Sequence, residues 1–280
     1  MIDENAFLEA LYRAIDERRL TLPTLPEVAL RVRDAVESDN SSASKVADII
    51  ATDTALSARL LQVVNSPLYR GRNHIDNLQM AVARLGTRLV RSLVVSLIMQ
   101  QIFQATSDLL DQRFRKLWEE SVQIAAISRV LAQGLRHLDK EQALLAGLIH
   151  NIGSLPILTM AEQHQELVDD PAELDRLLDL LAPQIGQKIL GDWDFSPELI
   201  KVPAHYQDLS YQSDGAADYV DVVIVARLQA LMEHGEQPLN PEQWQAVPAF
   251  AKVGLEPEVS FVEIEGVAED RVEVEHILIG

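Results

Sequence analysis

A histidine and an asparagine close an apolar, helix-like run, LLAGLIHNIGSLPIL (residues 144–158). His150 offers an imidazole of the kind that binds transition metals. With aspartate at position 151, the pair would read as the start of a binuclear metal site. Asn151 is neutral and bridges two cations poorly. The pair is therefore either a metal site with an unusual ligand or scaffold left from one.

A second set of residues suggests anion chemistry. Arg59, Arg70, Arg72, Arg84, Arg88 and Arg91 share one segment with a single acid, Asp76, whereas the whole chain carries a net charge of −19. Solvated helix faces account for such arginines, and so does a local surface for phosphate groups or acidic partners, which guanidinium forks bind bidentately. Other chemistries find no support. The chain has no cysteine, which removes disulfides, thiolate zinc sites and cysteine nucleophiles. No glycine-rich phosphate loop is present, and Ser66-Pro67 lies in no nucleophile elbow.

The elements that must carry these residues read as helices. Phe7, Leu8, Leu11 and Ile15 form a helical stripe over residues 5–19. The prolines of LTLPTLPE (20–27) interrupt it, and Pro26 can open the next helix. Ser42 or Ser44 can cap a helix holding Val46, Ile49 and Ile50, and Asp53 can cap ALSARLLQVV. A short helix (77–85) ends at Gly86, read as a left-handed cap, with Thr87 capping the helix that follows. A long periodic segment spans about 108–135, and Asp139 caps KEQALLAGLIHNI. Further helices are expected near 155–166, 171–190, 196–206, 217–234 and 241–250. The tail SFVEIEGVAEDRVEVEHILIG alternates like a strand pair around Gly266, yet a lone hairpin is marginal, so a helix or irregular tail is the reading adopted.

Composition bounds the rest. With 48% hydrophobic and 24% charged residues the chain is expected to fold, since disorder requires a more polar sequence. The acidic start MIDENAFLEALYRAIDERR lacks the features of a signal peptide, and LVVSLIM (93–99) is too short to span a bilayer. The charge disfavours nucleic acid and anionic membranes. A cytoplasmic location, with neither nucleic acid nor membrane as partner, is the expectation.

Several motifs together resemble the HDOD family, output-domain relatives of the HD phosphohydrolases: LPTLPEV, ADIIATDTALSARLLQVVNSPLY with Asp53 at its turn and Asn65-Ser66 at its end, and HIDNLQMAVARLGTRLVRSLVV with Leu85-Gly86. Thr54 stands where that family usually has proline. The resemblance spans roughly 20–235 and implies an all-α, multi-helix bundle of HD type with an N-terminal helical subdomain. It divides the chain into an N-terminal half (1–106), an HD-like half (107–238) and an extension (239–280). Asp53, Asn65 and Gly86 are its signature positions. On their own chemistry Asn65 locks the LYRGRN loop and Gly86 serves backbone geometry.

The same resemblance implies a depleted metal set. Glu120 in WEES stands where the first histidine is expected, and Asn151 replaces the aspartate beside His150. Ser154 replaces a lysine, Ala182 a histidine, and Ala204-His205 stand for a histidine pair. Arg227 occupies the place of the last aspartate and would repel a metal. Glu120, His150, Asn151 and His205 are thus a remnant pocket with no catalytic residue, no metal and no cofactor, and His150 is expected to find a hydrogen-bond partner, with Glu120 a candidate. Gly147 would permit close helix contact, and Gly153 would end the helix and turn the chain. The expected function is a non-catalytic signalling module. Its partner surface is placed at NSPLYRGRNH with Arg70, Arg72, Arg84, Arg88 and Arg91, receiving a protein partner or a phosphate-bearing small ligand. The alternative is a metal-dependent phosphohydrolase acting on a nucleotide or cyclic dinucleotide.

Overall fold

The computed structural model describes residues 3–279 except 18, 21–22, 39–41, 104–109, 235–238 and 257–266. Among these residues the chain is all helix, without a strand. Six helices make the N-terminal part: α1 (Glu4–Asp16), α2 (Glu27–Glu37), α3 (Ala43–Ile50), α4 (Thr54–Asn65), α5 (Leu78–Leu85) and α6 (Thr87–Ile102). The C-terminal part is built on α7 (Asp111–Gln133) and α8 (Lys140–Ile149). Around these pack α9 (Ser154–Ala161), α10 (Gln165–Val168), α11 (Pro171–Asp192), α12 (Pro197–His205) and α13 (Tyr219–Glu233). The short α14 (Pro241–Gln245) and α15 (Pro248–Val253) lead to a final helix, α16 (Val267–Ile279).

Polar caps set many of these starts. Ser42 accepts from Lys45 N, Asp53 from Leu56 N, Asn77 from Met80 N, and Asp139 from the amides of Glu141 and Gln142. Each such cap is worth about 1 kcal/mol. The expected helix over 241–250 is two helices, because Asn240 builds a capping box on α14 and Pro248 opens α15. The helix expected over 155–166 stops at Ala161. The tail is helical over 267–279. The strand pair considered around Gly266 lies partly outside the described residues, as do the expected boundaries at 106/107 and 238/239.

Glycine positions needed two corrections. Gly86 has φ 84° and ψ 152°, a positive-φ extended geometry open in practice only to glycine, rather than a left-handed helical cap. It also occupies the N-cap of α6, and Thr87 makes no capping hydrogen bond there. Gly153 has φ −66° and needs no special backbone. Its lack of a side chain is required instead by α11, because a Cβ would lie 2.5 Å from Gly186 N and collide with the Ala182 carbonyl. Gly147 behaves as expected: a Cβ there would meet the Ala125 backbone, 2.7 Å from its nitrogen.

One hydrophobic core runs from Phe7 to Leu278. The stretch Lys140–Ala161 is long and apolar enough to cross a membrane by composition, but 94% of its apolar window is buried inside the fold. The turn at 150–153 breaks it into α8 and α9. Around the N-terminal linker, Trp193 Nε1 donates to Pro23 O (3.0 Å) and Arg33 to Trp193 O (2.8 Å). The linker is thereby tied to the end of α11.

A charged network lies inside this core. Helices α7 and α8 run antiparallel, so Ala125 meets Gly147 and Arg129 meets Glu141. The Arg129 and Glu141 side chains are only 1% and 7% exposed, with Arg129 Nη2 2.9 Å from Glu141 Oε1. Tyr69, in the loop after α4, donates its hydroxyl to the other Glu141 oxygen (2.6 Å), and the guanidinium lies over its ring at 5.6 Å. Burial and the Glu141 charge push the tyrosine hydroxyl pKa far up, so it stays a donor. Replacing Glu141 with alanine leaves Arg129 buried without countercharge and is expected to cost about 3–5 kcal/mol. Tyr69→Phe removes one charge-assisted hydrogen bond, about 1.5–3 kcal/mol. Urea unfolding of both variants measures the two losses, and equal effects would contradict this arrangement.

Candidate functional site

Helices α7, α8, α9, α11, α12 and α13 surround a cavity of about 530 Å³ that His150, Asn151, Glu120 and Arg227 all line. Three of the four remnant-pocket residues are therefore brought together. The fourth, His205, is not. It is half-buried and stacks on Tyr211, with ring centres 5.2 Å apart. Its neighbour Tyr206 forms the cavity wall and sets its ring against His150 at 4.8 Å, nearly perpendicular. The inward face of α12 and its end is Leu199, Val202 and Tyr206, a helical spacing that puts position 205 off the face.

His150 is fully buried, and its Nδ1 donates to Gly147 O (2.6 Å), not to Glu120 as expected. A carbonyl accepts only, so the ring is the Nδ1–H tautomer and Nε2 keeps its lone pair. Burial, with a smaller contribution from Arg227, pulls its pKa down to about 4, against the opposing Gly147 bond. Ser121 Oγ lies 3.1 Å from the Asn151 amide and 2.6 Å from Leu117 O. Asn151 thus belongs to a neutral hydrogen-bond set. Glu120 sits at the cavity edge, partly exposed, 3.5 Å from Lys116.

Arg227, on α13, projects toward the Tyr206 ring, 5.8 Å from its centre. It forms no hydrogen bond or close ion pair with any described residue, but its charge acts on Asp179 across the cavity, opposing the upward push of burial on that carboxyl. Burial pushes the Tyr206 hydroxyl up to about 12, with Arg227 opposing. Ala182 is buried where its carbonyl abuts Gly153, so that position serves the contact between α9 and α11.

A pair of bridged divalent cations does not fit this centre. Among the described residues no three His, Asp or Glu side chains converge to hold a metal. His150 keeps the tautomer a ligand needs, but the carboxylates that line the cavity, Glu119, Glu120 and Asp179, do not converge with it on one point, and a guanidinium faces the space.

The five candidate arginines fall in three places. Arg70 and Arg72 are exposed in the loop after α4. Arg84 is committed to that loop, donating to Tyr69 O (2.9 Å) and Asn73 O (3.3 Å). Arg88 and Arg91 line a separate cleft of about 460 Å³ with Arg33, between α2, α6 and the C-terminal helices. Arg91 there pairs with Glu37 at 2.6 Å. Asn65 locks the loop: it donates to Leu61 O and Ile75 O and accepts from Ile75 N, all within 2.9 Å. Sequence reasoning missed Tyr206, whose signal was the 199–202–206 spacing. It also missed Arg129 and Glu141, which carry no sequence signal that separates them from solvated charges.

This architecture defines a helical bundle of HD type with an N-terminal helical part packed on it. The chain belongs to the HDOD domain family, whose pattern matches residues 22–209. A crystal structure from Shewanella amazonensis SB2B, provisionally named a metal-dependent phosphohydrolase, is 31% identical. It superposes with a TM-score of 0.81 over 98% of this chain and 99% of that one. An HDOD domain protein of unknown function from Geobacter sulfurreducens shares the fold at 21% identity and TM-score 0.69, over 96% and 97% of the two chains. An uncharacterised protein of Treponema pallidum is 24% identical over 81% of this chain, which spans only 46% of that relative's length.

The His150 pKa sets a pH dependence. Between its ordinary value of 6.5 and about 4, the unfolded chain takes up a proton that the folded chain does not. Stability is therefore lost as pH falls through that window, by roughly 3 kcal/mol from this group. Urea unfolding from pH 7 to pH 4 should show the fall, and His150→Gln should flatten it.

Proposed function

We propose that this chain is a non-catalytic HDOD regulatory module, which works by binding rather than by hydrolysis. The observation that supports this reading is Arg227, an unpaired guanidinium in the cavity where a phosphohydrolase needs anionic ligands. Neutral Asn151 and the surface ion pair of Glu120 support it further. A second reading, metal-dependent hydrolysis of a nucleotide or cyclic dinucleotide, is favoured by the provisional name of the 31%-identical Shewanella protein and by the free Nε2 of His150. Elemental analysis of protein purified without chelator separates the two. Well under one equivalent of transition metal and no phosphodiester hydrolysis are expected. Two equivalents with hydrolysis would establish the second reading.

The partner surface of this module is the loop that Asn65 fastens, where Arg70 and Arg72 are exposed. An acidic protein surface or a phosphate group suits them. Reversing both charges (Arg70→Glu with Arg72→Glu) should weaken capture of such a partner while moving the melting temperature little, since exposed substitutions usually cost within about 0.5 kcal/mol. Unchanged binding would remove this loop from the reading.

A further inference from the structure

We infer that the cavity around Arg227 is a receptor for a small, singly charged oxyanion with an apolar body, a carboxylate or a phosphodiester. This deepens the binding reading above and rests on it.

Arg227 is half-buried, lies over the Tyr206 ring, and has neither hydrogen bond nor ion pair with a described residue. A half-buried guanidinium with no acceptor among the described residues leaves its fork open, and a two-oxygen anion meets that fork directly. The Tyr206 ring beneath the guanidinium, 5.8 Å from its carbon, restricts where the side chain lies, which reduces the ordering cost of capture. The other nearby cation, Lys116, is exposed and lies beside Glu120. His150 is neutral above acid pH and adds no charge.

Charge and wall chemistry narrow the ligand. Glu119, Glu120 and Asp179 also line the space, so acids outnumber cations there by three to two. A triphosphate or other polyanion meets that rim with several times the repulsion of a single charge, and a monoanion offsets its smaller repulsion through the two hydrogen bonds of the open Arg227 fork. Leu117, Ile124, Leu178 and Leu231 supply an apolar wall. The volume, about 530 Å³, falls in the range of small-molecule sites.

Equilibrium dialysis of the full chain tests this with three probes at matched ionic strength: 1-naphthoate, bis(4-nitrophenyl) phosphate and ATP. Saturable binding of at least one monoanion at one per chain is expected, with ATP binding more weakly. Arg227→Gln should weaken the monoanion about tenfold or more, and Arg227→Lys by less, because it keeps the charge but not the fork. Binding of 1-naphthoate alone identifies the carboxylate class, and of the diester alone the phosphodiester class. Should Arg227→Gln not fold, the lysine variant carries the comparison. No monoanion binding, unchanged affinity in the folded variants, or tighter binding of ATP overturns the inference. Release of 4-nitrophenol with added manganese, together with two bound metals, would overturn the non-catalytic reading itself. A metal-free, inert protein that ignores all three probes would overturn only this inference.

Discussion

A guanidinium removed from water must have its countercharge beside it, and Arg129 meets that demand with Glu141 one helix away. The same carboxylate takes the Tyr69 hydroxyl from the N-terminal part of the chain. One buried group thus fixes the packing of α7 on α8 and the seat of the loop after α4. Removing a partner costs far more than the pair gains over apolar packing, so the arrangement specifies position more than it adds stability. Burial would lower the affinity of Arg129 for its proton, but Glu141 reverses this and raises its pKa overall.

Arg227 presents the opposite case within the same helical part. It is half-buried and has a tyrosine ring beneath it but no carboxylate within bonding distance. The two arginines differ by their partners: Arg129 is neutralised and inaccessible, and Arg227 is left open to a cavity. A centre arranged for metals requires converging negative donors, whereas the acids lining this cavity do not converge and a guanidinium shares the space with them. The Nδ1 bond of His150 to Gly147 O closes the end of α8, a role independent of any ion.

Local rules were legible from the residues. Asp53 and Asp139 cap the helices expected of them, Asn65 fastens its loop, and Gly147 allows α7 and α8 to touch. Each depends on a few neighbouring positions. Failures came where distant helices decide. Gly153 reads as a turn, yet the pressure on it comes from the Ala182 carbonyl and Gly186 of α11. His205 looks like a ligand until the face of α12 is phased by Leu199 and Val202, which selects Tyr206. The arginine run appeared to be one surface, but folding spends Arg84 on its own loop and sends Arg88 and Arg91 to another cleft.

The turn at 150–153 interrupts the most apolar segment of the chain, and this matters before the protein is complete. As the polypeptide leaves the ribosome, residues 140–161 resemble a membrane anchor in length and hydropathy. The principal packing partner of their first half, α7, precedes them and has already been made, whereas α9 packs chiefly on α11, which follows. A helical hairpin of such local contacts forms quickly. Synthesis order therefore lets the first half of the segment pack at once on α7, and the turn at 150–153 leaves α9 to wait for α11.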